Sequence, residues 1–282
     1  MNLTDIHEIK ALLARHGFYF SKSMGQNFLI ADWVPRDIAD AAGLDEHCAV
    51  LEIGPGIGPL TRQLAQRAGK VAAVELDTSL LPILRETLGD CPNVEILSGD
   101  VMKLDLDAVI SDKFSDFTPN VCANLPYNIT TPVITRLLEL NRFRSITIMI
   151  QREVANRICA APGTSDCGAF SLFCQYHAQC ELLFEVPPEC FLPAPKVTSA
   201  VVRLTPRLQP PVDVNPDTLF AVIHAAFAQR RKTLLNALSA AYSSRFSKDQ
   251  LRQIILDCGL EETVRGERLG LEEFTALVHR LS

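Results

Sequence analysis

Short apolar runs alternate with amphipathic helical patterns from about residue 31 to residue 150. Each run has the length of a buried strand, and the segments between the runs carry apolar residues at helical spacing. Strands that alternate with helices are typical of βαβ units, which build a parallel sheet with helices on both faces. The runs are CAVLEI, VAAVEL, NVEIL, NVCANL and SITIMI. We therefore predict an α/β fold with a doubly wound sheet.

Two further apolar runs, ELLFEV at 181–186 and SAVVRL at 199–204, come later in the chain. The segment that connects them, VPPECFLPAPKV, is rich in proline and carries no helical pattern. A parallel pair of strands needs a crossover connection, which is usually a helix. The missing helix predicts that the sheet finishes with an antiparallel, hairpin-like strand.

The segments outside the sheet pattern are helical or proline-rich. Near the N-terminus we predict a helix over 4–15, with Thr4 as its N-cap and Gly17 just past its end. A loop, 18–29, follows. Four prolines and no periodicity mark residues 205–217 as the best linker in the sequence.

Three helices are predicted beyond this linker. Asn215 is an N-cap before Pro216, and the pattern continues as one helix through DTLFAVIHAAFAQRRKTLLNAL. Ser247 and Gln250 form a capping-box pattern for a second helix, which Gly259 ends, and LEEFTALVHRL forms a third. We predict a sheet domain over 1–206, whose first 30 residues form the N-terminal helix and loop. A linker (207–216) and a small all-α domain (217–282) follow.

Composition excludes several classes of protein. Hydrophobic residues make up 48% of the 282 residues, enough for a sizeable core, yet no apolar run is long enough to cross a membrane. The N-terminus predicts neither a signal peptide nor a transit peptide. Nine cysteines without a Cys-x-x-Cys pair, and six histidines without a ligand-like spacing, predict reduced thiols in the cytoplasm and no metal site.

The strongest local signal is a glycine-rich turn directly after the first apolar run. Its spacing is Gly54-x-Gly56-x-Gly58, which differs from the G-x-G-x-x-G pattern of dinucleotide folds. Glycines at this place allow a tight turn and a close approach of the backbone to a ligand. A purely structural turn is the alternative interpretation of this motif.

Polar residues at three later strand ends favour a ligand. Glu75 lies 21 residues after Gly54, where a carboxylate can bind both hydroxyls of a ribose. Asp100 follows the third strand, where it could accept a hydrogen bond from an adenine amino group, and Asn124 follows the fourth. Each of these acids alone could be a surface residue. Together with the turn, the residues predict a nucleoside pocket.

The tetrapeptide Asn124-Leu125-Pro126-Tyr127 indicates the reaction. An exocyclic amine on a purine is a poor nucleophile because its lone pair is delocalised into the ring. The side-chain oxygen of Asn124 and the carbonyl of Leu125 could each accept one N–H and so favour the pyramidal nitrogen that attacks. Pro126 would fix the direction of that carbonyl, and Tyr127 could stack on the base. An ordinary turn is the alternative.

With these motifs the chain resembles the ribosomal RNA adenine dimethyltransferase family from about Phe20 to its C-terminus. The resemblance rests on several separate motifs in the family's order, which are Gln26-Asn27-Phe28-Leu29, the Gly54 loop, Val74-Glu75-Leu76-Asp77, Gly99-Asp100, Asn124-Leu125-Pro126-Tyr127-Asn128 and Phe191-Leu192-Pro193-Ala194-Pro195-Lys196-Val197. It implies a Rossmann-like, seven-stranded methyltransferase sheet, mostly parallel with an antiparallel end strand, that uses S-adenosylmethionine.

The resemblance also assigns residues. Phe191 would be a second aromatic face for the target adenine opposite Tyr127, with an anchor in the proline-rich loop as the alternative. The implied cofactor contacts are Asn27, Leu29, Gly54, Gly56, Glu75, Asp100, Val101 and Asn124. Leu235 and Gly270 depart from residues common in the family, arginine and serine, and the first departure could weaken one RNA contact.

Within the family, the chain resembles the branch that dimethylates two adjacent adenines near the 3′ end of small-subunit RNA. The stretches that support this are 197–203 and 226–236. The implied partner is the RNA of the immature 30S subunit, bound by a monomer. Macrolide-resistance methylases, which modify large-subunit RNA, share the cofactor motifs and are the first alternative. An assembly checkpoint, in which binding matters more than catalysis, is the second, and a dinucleotide oxidoreductase is disfavoured by the glycine spacing.

The net charge of −6 argues only mildly against RNA binding, because the charge is unevenly distributed. Residues 28–127 carry 16 acidic and 7 basic side chains, whereas 196–232 carry 2 acidic and 6 basic ones. The candidate phosphate contacts are Lys196, Arg230, Arg231 and Lys232. A solvated helix face is the alternative for the last three.

Overall fold

The computed structural model describes residues 1–20, 26–229 and 231–281. They form two compact units, which are described separately. Unit 1 comprises residues 1–155 and 180–206, and unit 2 comprises residues 156–179 and the described chain from 207 onward.

The described strands are β1 Phe28–Leu29, β2 Cys48–Ile53, β3 Lys70–Glu75, β4 Val94–Ser98, β5 Thr118–Asn124, β6 Ser145–Gln151, β7 Ala178–Val186, β8 Phe191–Leu192 and β9 Ser199–Pro206. The described α-helices are α1 Ile6–Arg15, α2 Trp33–Ala41, α3 Pro59–Ala65, α4 Leu81–Leu88, α5 Leu106–Lys113, α6 Thr130–Leu140, α7 Arg152–Cys159, α8 Ala169–His177, α9 Pro216–Phe227, α10 Leu234–Tyr242, α11 Lys248–Asp257 and α12 Leu271–Leu281.

Seven of the described strands form one sheet, in the order β4-β3-β2-β5-β6-β9-β7. The pairs β2–β3, β3–β4, β2–β5 and β5–β6 are parallel, which confirms the predicted α/β fold. All six residues of the central strand β2 are buried, as expected for a strand that helices cover on both faces. The edge strand β4 is only half-buried.

The far end of the sheet confirms the predicted antiparallel finish. β9 runs antiparallel to β6, with Met149 opposite Val201, and it lies between β6 and the edge strand β7. A second, two-stranded sheet pairs β1 with β8, so that Leu29 lies opposite Phe191. The sequence patterns did not predict this second sheet, because two-residue strands leave no periodicity.

The N-terminal helix is present, but its predicted cap is wrong. α1 begins after Asp5, whose carboxylate accepts hydrogen bonds from the backbone N–H groups of His7 and Glu8 at 2.8 and 2.9 Å. Thr4 instead hydrogen-bonds to Asn2. A carboxylate near the positive end of the helix dipole makes Asp5 the better cap.

Unit 2 departs from the predicted boundaries, because residues 156–179 belong to it. Leu172 and Tyr176 of α8 are buried in the same hydrophobic cluster as Ile223, Leu238 and Phe274 of the C-terminal helices. The backbone N–H of Arg207 also donates to the carbonyl of His177. The helical unit is therefore built from two stretches of chain, and sequence distance concealed this arrangement.

The first C-terminal helix was predicted as one element and is two. α9 ends at Phe227, and α10 begins after Thr233, whose hydroxyl accepts a hydrogen bond from the N–H of Asn236. The N–H of Leu234 is taken by the carbonyl of Val264. The Thr233 cap starts a new helix at a point where the apolar pattern alone predicted a continuous one. The predicted caps at Asn215 and Ser247 are confirmed.

The assignment of residues 156–179 to unit 2 predicts the effect of a core truncation. Leu172→Ala leaves a cavity in the unit 2 core and should lower the free energy of unfolding by about 2–5 kcal/mol. Urea denaturation of the full chain, followed by circular dichroism, measures this loss. Leu256→Ala, at an exposed position of α11, is the matched control and should cost less than about 1 kcal/mol. Equal losses would contradict the assignment.

Candidate active site

The glycine-rich turn begins at Gly54, which extends the parallel pairing of β2 with β3 by one residue. The N–H of Gly54 donates to the carbonyl of Val74 at 2.9 Å. Gly54 and Gly56 have φ angles of +70° and +61°, which side chains other than glycine rarely adopt. A Cβ on Gly56 would also lie 3.3 Å from the ring of Phe28. The turn therefore keeps the backbone open to a ligand while β1 packs on its other side.

A cavity of about 210 Å³ opens beyond the carboxyl ends of β2, β3, β4 and β5. Parallel strands place their carboxyl ends along one edge of the sheet, which is where open α/β sheets bind ligands. The structure brings nearly all of the predicted site residues to this cavity. They are Asn27, Leu29, Gly54, Gly56, Glu75, Asp100, Val101, Asn124, Leu125, Pro126 and Tyr127.

Glu75 ends β3 and is nearly buried, at 6% exposure. Its Oε1 accepts the N–H of Asp77 at 2.8 Å, and the N–H of Gly56 also stabilises the carboxylate. Burial is the larger effect and raises the pKa of Glu75 to about 6. Asp77 in turn accepts hydrogen bonds from Ser79 and from the side chain of Gln26. The carboxyl group is therefore held by backbone groups at the cavity wall.

Asp100 sits in a loop that a distant helix stabilises. Its Oδ1 accepts the N–H of Met102 at 2.9 Å. The guanidinium of Arg136, on α6, donates to the carbonyl of Val101 at 2.6 Å and to that of Leu104. Arg136 therefore fixes the loop that carries Asp100.

The Asn124–Tyr127 loop is fixed at both ends. The N–H of Leu125 donates to the carbonyl of Met149 at 3.1 Å, and the ring of Pro126 lies 3.6 Å from the position that a Cβ on Gly54 would take. The hydroxyl of Tyr127 is 2.6 Å from the hydroxyl of the fully buried Ser199. Burial raises the pKa of Tyr127, so its phenol remains neutral.

Phe191 does not lie on the cavity with Tyr127. It is 2% exposed, its backbone pairs with Leu29, and its side chain belongs to a core cluster that includes Val34 and Val201. The second aromatic face predicted at Phe191 is therefore not present in this structure. The alternative, an anchor in the proline-rich loop, describes its position, because a buried ring needs the packing that this cluster supplies.

The predicted phosphate contacts are distributed over both units. Lys196 is exposed in unit 1, and Arg231 and Lys232 are exposed in unit 2. The last two lie between α9 and α10, outside any helix. Arg230 lies outside the described residues. The role of all four in RNA binding stays a prediction.

One cavity residue was missed by the sequence analysis. Glu52 lies inside β2, is 1% exposed and lines the cavity. Burial raises its pKa to about 8, and the nearby charge of Glu75 contributes to the rise. Its signal was visible in the sequence as the lone acid in the apolar run CAVLEI.

The described residues contain no group of three or more His, Cys, Asp or Glu that could hold a metal ion. The nine cysteines, all of them described, form no disulfide. No described helix has the length and apolar character needed to cross a membrane.

The fold and the cavity define the class of protein. The parallel sheet with one antiparallel strand near its end, and a cavity at its switch point, are those of a Rossmann-like methyltransferase. The solved structure of a dimethyladenosine transferase from Plasmodium falciparum is similar, with a TM-score of 0.71 and 25% identity, over 88% of this chain and 95% of that one. The 23S rRNA methyltransferase ErmE aligns with a TM-score of 0.68 and 25% identity, over 90% and 99%.

Sequence comparison identifies the family. The family model for ribosomal RNA adenine dimethylase matches residues 17–275. Ribosomal RNA small subunit methyltransferase A of Geobacillus thermodenitrificans is 47% identical, over 96% of this chain and 94% of its own length. The protein of the same name from Alkaliphilus oremlandii is 46% identical, over 97% and 96%. The chain belongs to the ribosomal RNA adenine dimethylase family.

The buried carboxyl of Glu52 predicts a pH-dependent loss of stability. An unfolded Glu ionises near its ordinary pKa of about 4.3, whereas the folded group keeps its proton until about pH 8, so stability falls between these values. Relative to Glu52→Gln, the wild type should lose up to about 1.4 kcal/mol per pH unit in this range. Urea denaturation from pH 5 to pH 8.5 measures the difference.

Glu75→Gln is the matched control in the same cavity. The difference in unfolding free energy between the wild type and Glu75→Gln should change with pH only up to about pH 6, where the carboxyl of Glu75 ionises in the folded protein. A difference between Glu52→Gln and the wild type that does not change with pH would show that Glu52 is already ionised.

Proposed function

We propose that the protein transfers methyl groups from S-adenosylmethionine to N6 of two adjacent adenines near the 3′ end of small-subunit (16S) RNA, forming N6,N6-dimethyladenosine during subunit assembly. One observation carries the proposal: Asn124 and Tyr127 share a cavity with Glu75 and Asp100. The groups suited to a target amine thus lie beside the groups suited to a nucleoside cofactor.

The residues that line the cavity support an adenosine-based cofactor. Glu75 would bind the ribose hydroxyls and Asp100 the adenine amino group, while Leu29 and Val101 supply apolar contacts. The glycine turn allows close approach at a point where a Cβ on Gly56 would meet Phe28. When bound, S-adenosylmethionine supplies an electrophilic methyl group.

The residues of the chain act on the target amine by position and by hydrogen bonding. The side-chain oxygen of Asn124 and the carbonyl of Leu125 accept its two N–H groups, which localises the lone pair on the nitrogen. Pro126, packed against Gly54, holds that carbonyl next to the cofactor turn. Such pre-positioning lowers the barrier without a general base, and the cationic nitrogen that forms as the sulfur–methyl bond breaks then loses its proton to water.

Tyr127 provides the stacking surface for the base. Its ring is half-buried and its hydroxyl is held by Ser199, so the ring cannot rotate freely away from the cavity. An adenine turned out of its RNA context would lose stacking with its neighbours, and an aromatic face partly replaces that loss. Ser199 thus acts as a positioning residue through Tyr127.

The small-subunit branch is supported by the relatives that match over nearly the full chain. Those at 46–47% identity are small-subunit methyltransferases, whereas ErmE, a large-subunit enzyme, is 25% identical. We extend the proposal to the partner and the setting: a monomer in the cytoplasm that binds small-subunit RNA within the immature 30S particle. Exposed Lys196, Arg231 and Lys232 are its proposed phosphate contacts.

Methyl transfer to isolated subunits tests this function. The protein is incubated with tritiated S-adenosylmethionine and with small or large subunits from a strain that lacks the modification. We expect up to four methyl groups per small subunit, recovered as N6,N6-dimethyladenosine after nucleoside analysis. Label confined to the large subunit would contradict the branch assignment, and label in neither would contradict the function.

Asn124→Ala tests the catalytic loop. Loss of an acceptor for the amine should lower kcat by roughly a hundredfold or more, because the interaction matters most in the transition state. Single-turnover methyl transfer measures the rate, and Asn156→Ala, at an exposed position, is the matched control. Full dimethylation by Asn124→Ala would refute the assigned role.

The same variant separates catalysis from the checkpoint alternative. If Asn124→Ala binds immature small subunits and delays their maturation in cells, binding itself has a role in assembly. Normal maturation with unmethylated RNA would reject the checkpoint.

A further inference from the structure

Glu52 is an acid in the most buried strand of the sheet. β2 pairs with β3 on one side and with β5 on the other, and every residue of β2 is buried. An ionised carboxyl in such a place loses its hydration, which is unfavourable unless a partner compensates. A glutamate at the floor of a cavity therefore requires a physical explanation.

No described cation compensates Glu52. Its Oε2 and the Oγ1 of Thr61, on α3, are buried without a hydrogen bond of full geometry among the described residues, and the nearby Thr61 hydroxyl lowers the pKa of Glu52 less than burial raises it. Glu52 is opposite Ala73 in β3, so Glu75 follows two positions further along the neighbouring strand. The polar groups nearest to Glu52 on these two elements thus supply no positive charge.

The other described residues that act electrostatically on this part of β2 and β5 do not supply a counter-charge either. Cys122, which faces Glu52 from β5, is fully buried, and burial raises the pKa of its thiol so that it stays neutral. Arg67, the cation that acts electrostatically on Cys122, is ion-paired with Asp40 at 2.7 Å. Glu52 therefore has two ways to avoid an unpaired buried charge: it can hold a proton, or it can meet a cation that enters the cavity.

We propose that Glu52 is protonated in the ligand-free protein and releases its proton to water when the ammonium group of the cofactor's amino-acid end enters the cavity. The inference rests on the proposed use of S-adenosylmethionine. The proton leaves a carboxyl oxygen of Glu52, the ammonium keeps its own protons, and no covalent bond changes. Cofactor binding and proton release are then one coupled event.

The pKa of Glu52 explains why proton release accompanies binding, both before the ammonium enters and after. Burial raises the pKa of Glu52 to about 8, so the empty site holds the proton at pH 7. An opposite charge within a few ångström lowers the pKa of a carboxyl by about 1–3 units, which is enough to ionise the group near neutral pH. Glu75 also lines the cavity, but with a pKa of about 6 it is largely ionised before the ligand arrives.

Isothermal titration calorimetry with two ligands tests the proposal on the wild-type protein. S-Adenosylhomocysteine carries the ammonium, whereas methylthioadenosine has the same nucleoside and sulfur without the amino-acid end. Each is titrated at pH 7 in phosphate and in Tris, whose ionisation enthalpies differ, so that the buffer dependence of the heat gives the number of protons released. We expect close to one proton for S-adenosylhomocysteine and almost none for methylthioadenosine.

The pH dependence of affinity gives a second readout. Ionised Glu52 rises from about a tenth to a half of the molecules between pH 7 and pH 8, so the affinity for S-adenosylhomocysteine should rise roughly fivefold. Methylthioadenosine should show little change. Equal proton release for both ligands, or S-adenosylhomocysteine binding without proton release, would overturn the inference and leave the proposed function intact.

Two variants assign the effect to the residue. Glu52→Gln should still bind but lose proton release and the pH dependence of affinity, whereas Glu75→Gln should bind both ligands more weakly and keep the difference between them. Circular dichroism checks folding, and the two-ligand comparison on the wild type decides the question if Glu52→Gln does not fold. Proton release that persists in a folded Glu52→Gln would refute the assignment. Failure of S-adenosylhomocysteine to bind the wild type would contradict the proposed cofactor itself.

Discussion

β2 hydrogen-bonds to β3 on one side and to β5 on the other, and both pairings are parallel. This arrangement brings the ends of strands that are far apart in sequence to one edge of the sheet. The glycine turn, Glu75 and Asn124 each follow a different strand, and they meet because those strands run in the same direction. A shift of one residue in any pairing would turn the side chains to the opposite face and dismantle the cavity. The hydrogen bond from Gly54 to Val74 fixes that register at the point where the cavity begins.

The sequence predicted the parts of the molecule that depend on local signals. Buried strands have recognisable apolar runs, and caps such as Asn215 and Ser247 act on groups only a few residues away. The positions of Glu75, Asp100 and Asn124 on the cavity also followed from sequence, because parallel strands align their ends by geometry alone. These elements were predictable because near neighbours in the chain determine the caps and regular parallel pairing determines where the strand ends lie.

The differences arose where tertiary packing decides between local alternatives. α8 is amphipathic in either unit, and only the core around Phe274 shows that residues 156–179 belong with the C-terminal helices. Phe191 carries an aromatic ring suited to stacking, yet pairing of β8 with β1 directs it into the core. Glu52 was visible as an acid in an apolar run, but only the positions of Thr61, Glu75 and Cys122 around it show that no cation compensates its charge among these neighbours.

Arg136 connects two segments of chain near the cavity. Its side chain connects α6, which follows the Asn124–Tyr127 loop, to the carbonyls of the loop that carries Asp100. The helix that follows the Asn124–Tyr127 loop and the loop that carries Asp100 are thus connected by one guanidinium. Arg136 does not itself line the cavity, so a substitution that removes its guanidinium would change the cavity wall indirectly, by leaving the carbonyls of Val101 and Leu104 without this donor.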